Sequence, residues 1–392
     1  MTSKKTIEEI NEKIEKGEAQ VLTAEEMIDF VEENDRQTAL EEVDVVTTGT
    51  FGAMCSSGAF LNFGHSQPPI RMSRVKLNDV EAYAGLAAVD VFLGATQPSE
   101  SQGLEYGGAH VIEDLLRGES ILLEASSPGT DSYPRRQLKR KLTLADLNQA
   151  YLFNPRNCYQ NYGAAVNASG ETIYTYMGTL LPKFGNVTYS SAGQLSPLLN
   201  DPYYKTIGIG SRIFLGGAPG YIAWEGTQHN PVTPRNDRGV PEGGAGTIAV
   251  MGDLKQMSPD FIRAASIPGY GVSMYVGIGI PLPITDLEMV KYTSVRDSDI
   301  YTEVADYSAG TRDKPKYGRF NYQELRSGSI TLENGKEVTT APLSSYRKAR
   351  EIADSLRQMI LEDGFTLQPP IQRLPLDRKF KPMPSTQGGE QE

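Results

Sequence analysis

The chain has 392 residues, with a formal net charge of −11 and a pI of about 5.0. An acidic chain lacks the basic footprint that phosphates require, which excludes nucleic acid as the main partner. No apolar run approaches the roughly 20 residues of a spanning helix, and the N-terminal MTSKKTIEEINEKIEKGE has no apolar signal core; a cytoplasmic protein with no membrane role is expected.

The first forty residues read as two helices. Thr6 with Glu9, and Thr23 with Glu26, have the spacing of capping boxes. Ile7, Ile10 and Ile14 then share a face, as do Met27, Phe30 and Val31. The texture changes at Val43 to Thr48, a β-branched run that reads as a strand. Val89 to Leu93 and Ile121 to Glu124 are further strands, with a short helix at His110 to Arg117 ended by Gly118. Ile207 to Leu215 and Ala218 to Trp224 read as strands around a tight turn. Gly246 to Asp253 reads as a buried strand, and Tyr270 to Ile280 as a long one. Ser258-Pro259 reads as a helix start. Near the end, Asn334-Gly335 marks a hairpin over Ser329 to Thr340, and a helix runs from about Ser345 to Asp363, stopped by Gly364.

These elements predict an α+β chain, with a large mixed, Gly-rich β-sheet core and flanking helices. Residues 1–370 are expected to form one domain, with two subdomains left open. Residues 371–392 form a polar tail, expected to be disordered from about Arg378. No repeat stands out, and the glycine-rich strings match neither a P-loop nor a dinucleotide fingerprint.

Two cysteines, Cys55 and Cys158, make neither a disulfide scaffold nor a closed zinc site. Each is a buried small residue or a chemical group. Cys55 stands in Gly52-Ala53-Met54-Cys55-Ser56-Ser57-Gly58. A strand leads in and small residues leave room for a substrate. A strand-to-helix turn here would aim N–H groups at the sulfur and favour the nucleophilic thiolate. A core cysteine packed among glycine and alanine is the plain alternative. Ser56 and Ser57 are candidate substrate-binding residues, as is Arg156, whose guanidinium suits a carboxylate. Gly129-Thr130-Asp131-Ser132-Tyr133-Pro134 reads as a turn. It is followed by the one dense basic run, 135–141, in which Arg135, Arg136 and Lys139 are candidate docking residues for an acidic partner. His65, His110 and His229 are too scattered to predict a metal site.

The strings GTFGAMCSSGAFLNFGHSQPP, MGDLKQMSPDFIRAAS and YVGIGIPLPI, with GTDSYP, resemble the homocysteine-biosynthesis family over most of the chain, to about residue 370. The resemblance implies a sulfurtransferase that converts L-aspartate semialdehyde to homocysteine through a cysteine persulfide. Sulfur is expected from sulfide or another donor. Electrons are expected from an iron–sulfur, ferredoxin-like partner. The chain itself is expected to bind no cofactor or metal, since it lacks the clustered cysteines of an iron–sulfur centre. Self-association is left open. The family's first cysteine falls on Cys55. Its second falls on residue 132, which here is Ser132 and cannot carry a persulfide. An engineered Cys→Ser change is the favoured account; a homologue using Cys55 alone or with Cys158, or an inactive one, are the others. A non-catalytic sulfur carrier and an unrelated cysteine-nucleophile acyl transferase are the competing functions.

Overall fold

Strand-forming stretches dominate the chain beyond its N-terminal helices, and each must bury one face. The computed structural model describes residues 5–383. The largest sheet has nine strands. In chain order they are β1 (Thr50–Ala53), β2 (Gly58–Asn62), β3 (Asp90–Gly94), β4 (Gln149–Asn157), β5 (Arg212–Leu215), β6 (Ala218–Glu225), β7 (Ile248–Asp253), β8 (Ile262–Ile267) and β9 (Gly271–Gly279). Their spatial order is β8-β9-β5-β6-β7-β4-β2-β3, and β1 pairs with β9 off this path. Every pairing in this sheet is antiparallel.

Parallel pairs occur in a second, six-stranded sheet. There Ala164–Val166 runs parallel to Tyr301–Asp306, and Asn186–Tyr189 runs parallel to Glu337–Pro342. A core of its own, including Val166, Val187, Val304 and Val338, lies under this sheet. A third sheet, also six-stranded, has the hairpin Ile121–Ser126 and Gln137–Leu142 at one side, with Gln137–Leu142 as its edge. The mixed α and β class is therefore as expected from the sequence.

Local signals account for most element ends. Both capping boxes form: Thr6 and Thr23 each accept from the backbone three residues on, and Glu9 and Glu26 reach back. The C-terminal helix Tyr346–Glu362 starts at its Ser345 cap and buries Ala349, Ile352, Ala353, Leu356 and Ile360. Gly216 and Gly217, at φ +62 and +96, make the turn between β5 and β6.

Two expectations fail. Ser258-Pro259 starts no helix; the Ser258 hydroxyl accepts from Asp260 N (3.1 Å), a local turn that leads straight into β8. The tail is anchored past Arg378: Arg378 pairs with Glu225, and Phe380 N donates to Asn230 Oδ1 (3.0 Å). Earlier, Gln372–Arg373 pairs with Gly208–Ile209. The expected disorder beyond residue 383 lies outside the described residues.

One buried charge ties the N-terminal helix to the body. Asp44 is 1% exposed and accepts from Lys5 Nζ (2.9 Å), Lys13 Nζ (2.7 Å) and Gln20 N (3.0 Å). Burial alone would raise its carboxyl, but the Lys13 and Lys5 hydrogen bonds outweigh it and hold the group below the ordinary carboxylate range. A depressed acid stabilises the fold at neutral pH and loses that effect as pH falls through its folded value. Asp44→Ala leaves two lysines without their buried partner. It is expected to cost about 3 kcal/mol in urea denaturation at pH 7, and progressively less as pH falls below the ordinary carboxylate range and through the folded value of Asp44.

Candidate active site

Cys55 lies in residues 54–57, the step that carries the chain from β1 to β2. The step joins strand to strand, not strand to helix, because Gly58–Asn62 is paired on both sides, by β3 and β4. Helix-terminus activation of the sulfur therefore does not apply. Register holds the step instead. Ala53 on β1 stands opposite Tyr275 on β9, and Met54 N donates to Met274 O (2.7 Å). Two residues further along that register Cys55 faces Ser273, with Sγ 3.3 Å from Oγ. At the other end Ala95 N donates to Ser57 O (2.8 Å).

A buried amide that sequence reasoning missed completes the support. Asn154 on β4 is fully buried. Its Nδ2 donates to Ser57 Oγ (2.8 Å), while its Oδ1 is within reach of Ser56 Oγ (3.1 Å) and accepts from Arg156 N (2.9 Å). Ser56 lines the cavity beside Cys55; Ser57 is buried and does not. Both serines, expected to contact substrate, have hydroxyls engaged in holding the turn.

The cavity has a volume of about 330 Å³ and lies where the β1–β2 step and the end of β4 meet strand ends of the second sheet. Its wall carries many hydroxyls, from Thr50, Ser190, Ser191, Ser344, Tyr159, Tyr162, Tyr176 and Tyr270 among others, set beside apolar surface from Met54, Met177 and Leu343. Arg156 is its one permanently charged lining side chain. No ion pair or hydrogen bond engages that guanidinium among the described residues, though it lies 6.0 Å from the Tyr159 ring centre. A cluster of phenols stands at the cavity: Tyr162 and Tyr176 line it, and Tyr162 OH and Tyr307 OH each lie within 3.3 Å of Tyr176 OH. Burial raises the phenols of Tyr159 and Tyr162. Burial, with the Cys55 sulfur beside it, pushes Tyr270 up to about 12. These groups stay protonated near neutral pH and can donate to a developing oxyanion.

Cys158 shares the cavity. It is buried, its φ is +51, and burial pushes its thiol up. A thiol kept protonated is a poor nucleophile. Of the two cysteines, Cys55 is thus the chemically available one.

Ser132 is elsewhere. It is exposed, on the turn between Ile121–Ser126 and Gln137–Leu142, and it does not line the cavity. That turn packs on residues 65–69: Tyr133 lies 6.0 Å from His65, and Arg135 N donates to Pro69 O (3.2 Å). Residues 65–69 follow the Asn62 end of β2, whereas Cys55 precedes its Gly58 end. The expected shared pocket of Cys55 and the 129–134 turn is not formed within one chain, because the turn belongs to the third sheet. Of the docking candidates, Arg135 is committed to Pro68 O (2.9 Å) and Lys139 to Glu124 (2.6 Å). Arg136 is exposed, as are Arg140 and Lys141 further along the same run. No cluster of metal-binding side chains occurs among the described residues, and no described helix is long and apolar enough to cross a membrane.

An accessible cysteine, a guanidinium without a partner among the described residues and phenols kept protonated by burial thus share one cavity, the kind of concave site in which enzymes hold small substrates. The chain belongs to the family described as homocysteine biosynthesis enzyme, sulfur-incorporation, which matches residues 19–367. It is 54% identical over 383 residues to an L-aspartate semialdehyde sulfurtransferase of Methanosarcina acetivorans, covering 98% of this chain and 74% of that protein. It is 55% identical over 377 residues to an L-aspartate semialdehyde sulfurtransferase of Methanocaldococcus jannaschii, covering 93% and 72%. An uncharacterized protein of Methanothermobacter thermautotrophicus is 30% identical over 335 residues, covering 83% of this chain and 72% of that one. No solved structure matches the chain.

Asn154→Ala removes the amide that holds both serines and leaves buried groups unsatisfied. A loss of about 1–3 kcal/mol in urea denaturation is expected, together with faster proteolysis at residues 54–57. Unchanged stability would mean that the turn holds its shape without Asn154.

Proposed function

We propose that this chain is an L-aspartate semialdehyde sulfurtransferase that makes homocysteine, with Cys55 as the sulfur nucleophile. The observation that carries this reading is the pairing of Cys55 with the unpaired Arg156 on one small cavity wall. Arg156 takes the substrate carboxylate by a two-point contact. The aldehyde carbon then lies over the sulfur. Names of relatives at 54% and 55% identity support the substrate.

In the reaction, a donor already carrying sulfane sulfur (a persulfide or polysulfide) passes its outer sulfur to the Cys55 thiolate and leaves as its own thiolate or shortened polysulfide. The terminal sulfur of the Cys55 persulfide then attacks the aldehyde carbon. A C–S bond forms and the carbonyl π pair moves to oxygen, which takes a proton from a lining phenol such as Tyr270. Counted from hydrogen sulfide, the conversion consumes two electrons and two protons and releases one water. Sulfur delivered as a persulfide needs two further electrons, which cleave the S–S bond and free the Cys55 thiolate. An iron–sulfur, ferredoxin-like protein supplies the electrons in this reading. It docks on the exposed cations of the Gln137–Leu142 edge strand and the residue before it, Arg136, Arg140 and Lys141. Position 132 remains the candidate for a second sulfur-relay residue, one that works outside the cavity and that Ser132 cannot serve.

Purified chain supplied with aspartate semialdehyde, a polysulfide or persulfide donor and a low-potential reductant is expected to form homocysteine. Cys55→Ala should lower that rate at least about 100-fold, and full activity in this variant would end the nucleophile assignment. Arg156→Gln should raise KM about 10- to 100-fold, the scale of a lost charge-assisted pair; an unchanged KM would remove the carboxylate role. Reversing charge at Arg136, Arg140 and Lys141 should weaken the salt dependence of turnover with a protein electron donor. Ser132→Cys should raise turnover if position 132 is a relay, and no gain would drop it from the mechanism.

A further inference from the structure

Among the described residues Ser273 has one side-chain hydrogen-bond partner, the Cys55 sulfur at 3.3 Å. The residue is fully buried in β9. A buried hydroxyl without a good acceptor costs free energy. Neutral thiol sulfur is a weak acceptor, whereas thiolate sulfur is a strong one. The pair is not a chance approach of loops, because the β1–β9 register sets residue 55 opposite residue 273. Ser273 lies behind the sulfur and does not line the cavity, so substrate does not reach it.

The groups that face Cys55 otherwise are few. The phenol of Tyr270, on the turn between β8 and β9, and the phenol of Tyr159, just past the end of β4, line the cavity with it. The Arg156 guanidinium and the Tyr176 phenol complete the polar wall of the cavity. No carboxylate lines it. Of these, only Ser273 is pinned in a strand interior, with no solvent exposure and no competing side-chain partner.

We propose that Ser273 is a positioning residue that donates its hydroxyl hydrogen to Cys55 and holds the sulfur as an oriented thiolate, aimed from the sheet into the cavity. This rests on the reading of Cys55 as the nucleophile, and it adds the group that replaces helix-terminus activation. The sheet itself supplies the donor, through a cross-strand neighbour.

The test measures alkylation of Cys55 by iodoacetamide in the full chain from pH 6 to 9, followed by mass, with Cys55→Ala as the blank. Ser273→Ala is expected to slow alkylation at pH 7 about tenfold, the scale of a hydrogen bond to a charged group, and the difference should narrow toward pH 9. Ser273→Thr and Ser273→Val are matched in size and differ in the hydroxyl. Thr should stay within about threefold of the parent, while Val should match Ala. Equal rates for Thr and Val would overturn the proposal, and they decide the case even where Ser273→Ala does not fold. Homocysteine formation is read separately. A Cys55→Ala variant that still makes homocysteine sinks the sulfurtransferase role of Cys55 but leaves the alkylation result standing.

Discussion

The site depends on one constraint: the register of β1 against β9. It fixes Met54 N on Met274 O and thereby sets Cys55 over Ser273. The chain must then cross to β2, whose other neighbours are β3 and β4. Only residues 54–57 span this gap, so the step is held at both ends and has little slack. A one-residue slip in β1 would turn Cys55 to the opposite face of the sheet. Asn154 adds a third fixed point by engaging both Ser56 and Ser57. The rigidity comes from strands, which suits a nucleophile whose attack geometry must be held closely.

Placement at the junction of two sheets gives this nucleophile its environment. The second sheet contributes Tyr162, Tyr176, Ser190, Ser191 and Ser344 from its strand ends and connections. The wall therefore mixes hydroxyls with apolar side chains and is almost uncharged. In such a site a single cation acts strongly, because no carboxylate competes for it and water is partly excluded. Arg156 is that cation. Phenols kept protonated by burial match the same logic, since an aldehyde addition builds negative charge on oxygen and calls for donors. The arrangement treats charge asymmetrically: one cation and several protonated phenols face the cavity, and no carboxylate is among its described lining residues.

Much of the fold was legible in the sequence where signals are local. Capping residues at Thr6, Thr23 and Ser345, the glycine stop at Gly364 and the Asn334-Gly335 hairpin each act within a few residues, and each appears where expected. Cys55 was legible from its small neighbours. Its true support was not, because Ser273 is separated from it by 218 positions and Asn154 from Ser56 by 98. Nothing in a linear reading distinguishes a serine in YGVSMYVGIGI from any other strand serine. The 129–134 turn misled for the same reason. Its residues suit chemistry, but strand pairing assigns it to the third sheet, beyond the far end of β2. Ser258-Pro259 failed at shorter range: the hydroxyl closes a turn as readily as it caps a helix, and the β-prone Ile262–Ile267 that follows decides between them.

The presence of two cysteines in one cavity raises the question of which does chemistry, and burial with backbone shape answers it. Cys158 sits at a left-handed φ, its N–H is turned to Asn157 Oδ1 (2.6 Å), and burial holds its thiol neutral. A neutral buried thiol gains nothing from Arg156 beyond packing. Cys55 is half-buried, with Ser273 Oγ on one side and the cavity on the other, a placement that the proposed reading uses for both access and stabilisation of negative charge. These requirements usually conflict, since a site dry enough to strengthen hydrogen bonds tends to disfavour a thiolate. The sheet resolves the conflict by division: the dry side of the sulfur holds Ser273, and the cavity side holds the cation and the phenols. In the proposed reaction the sulfur would pass between thiolate, persulfide and adduct while the strand register on either side of it is kept.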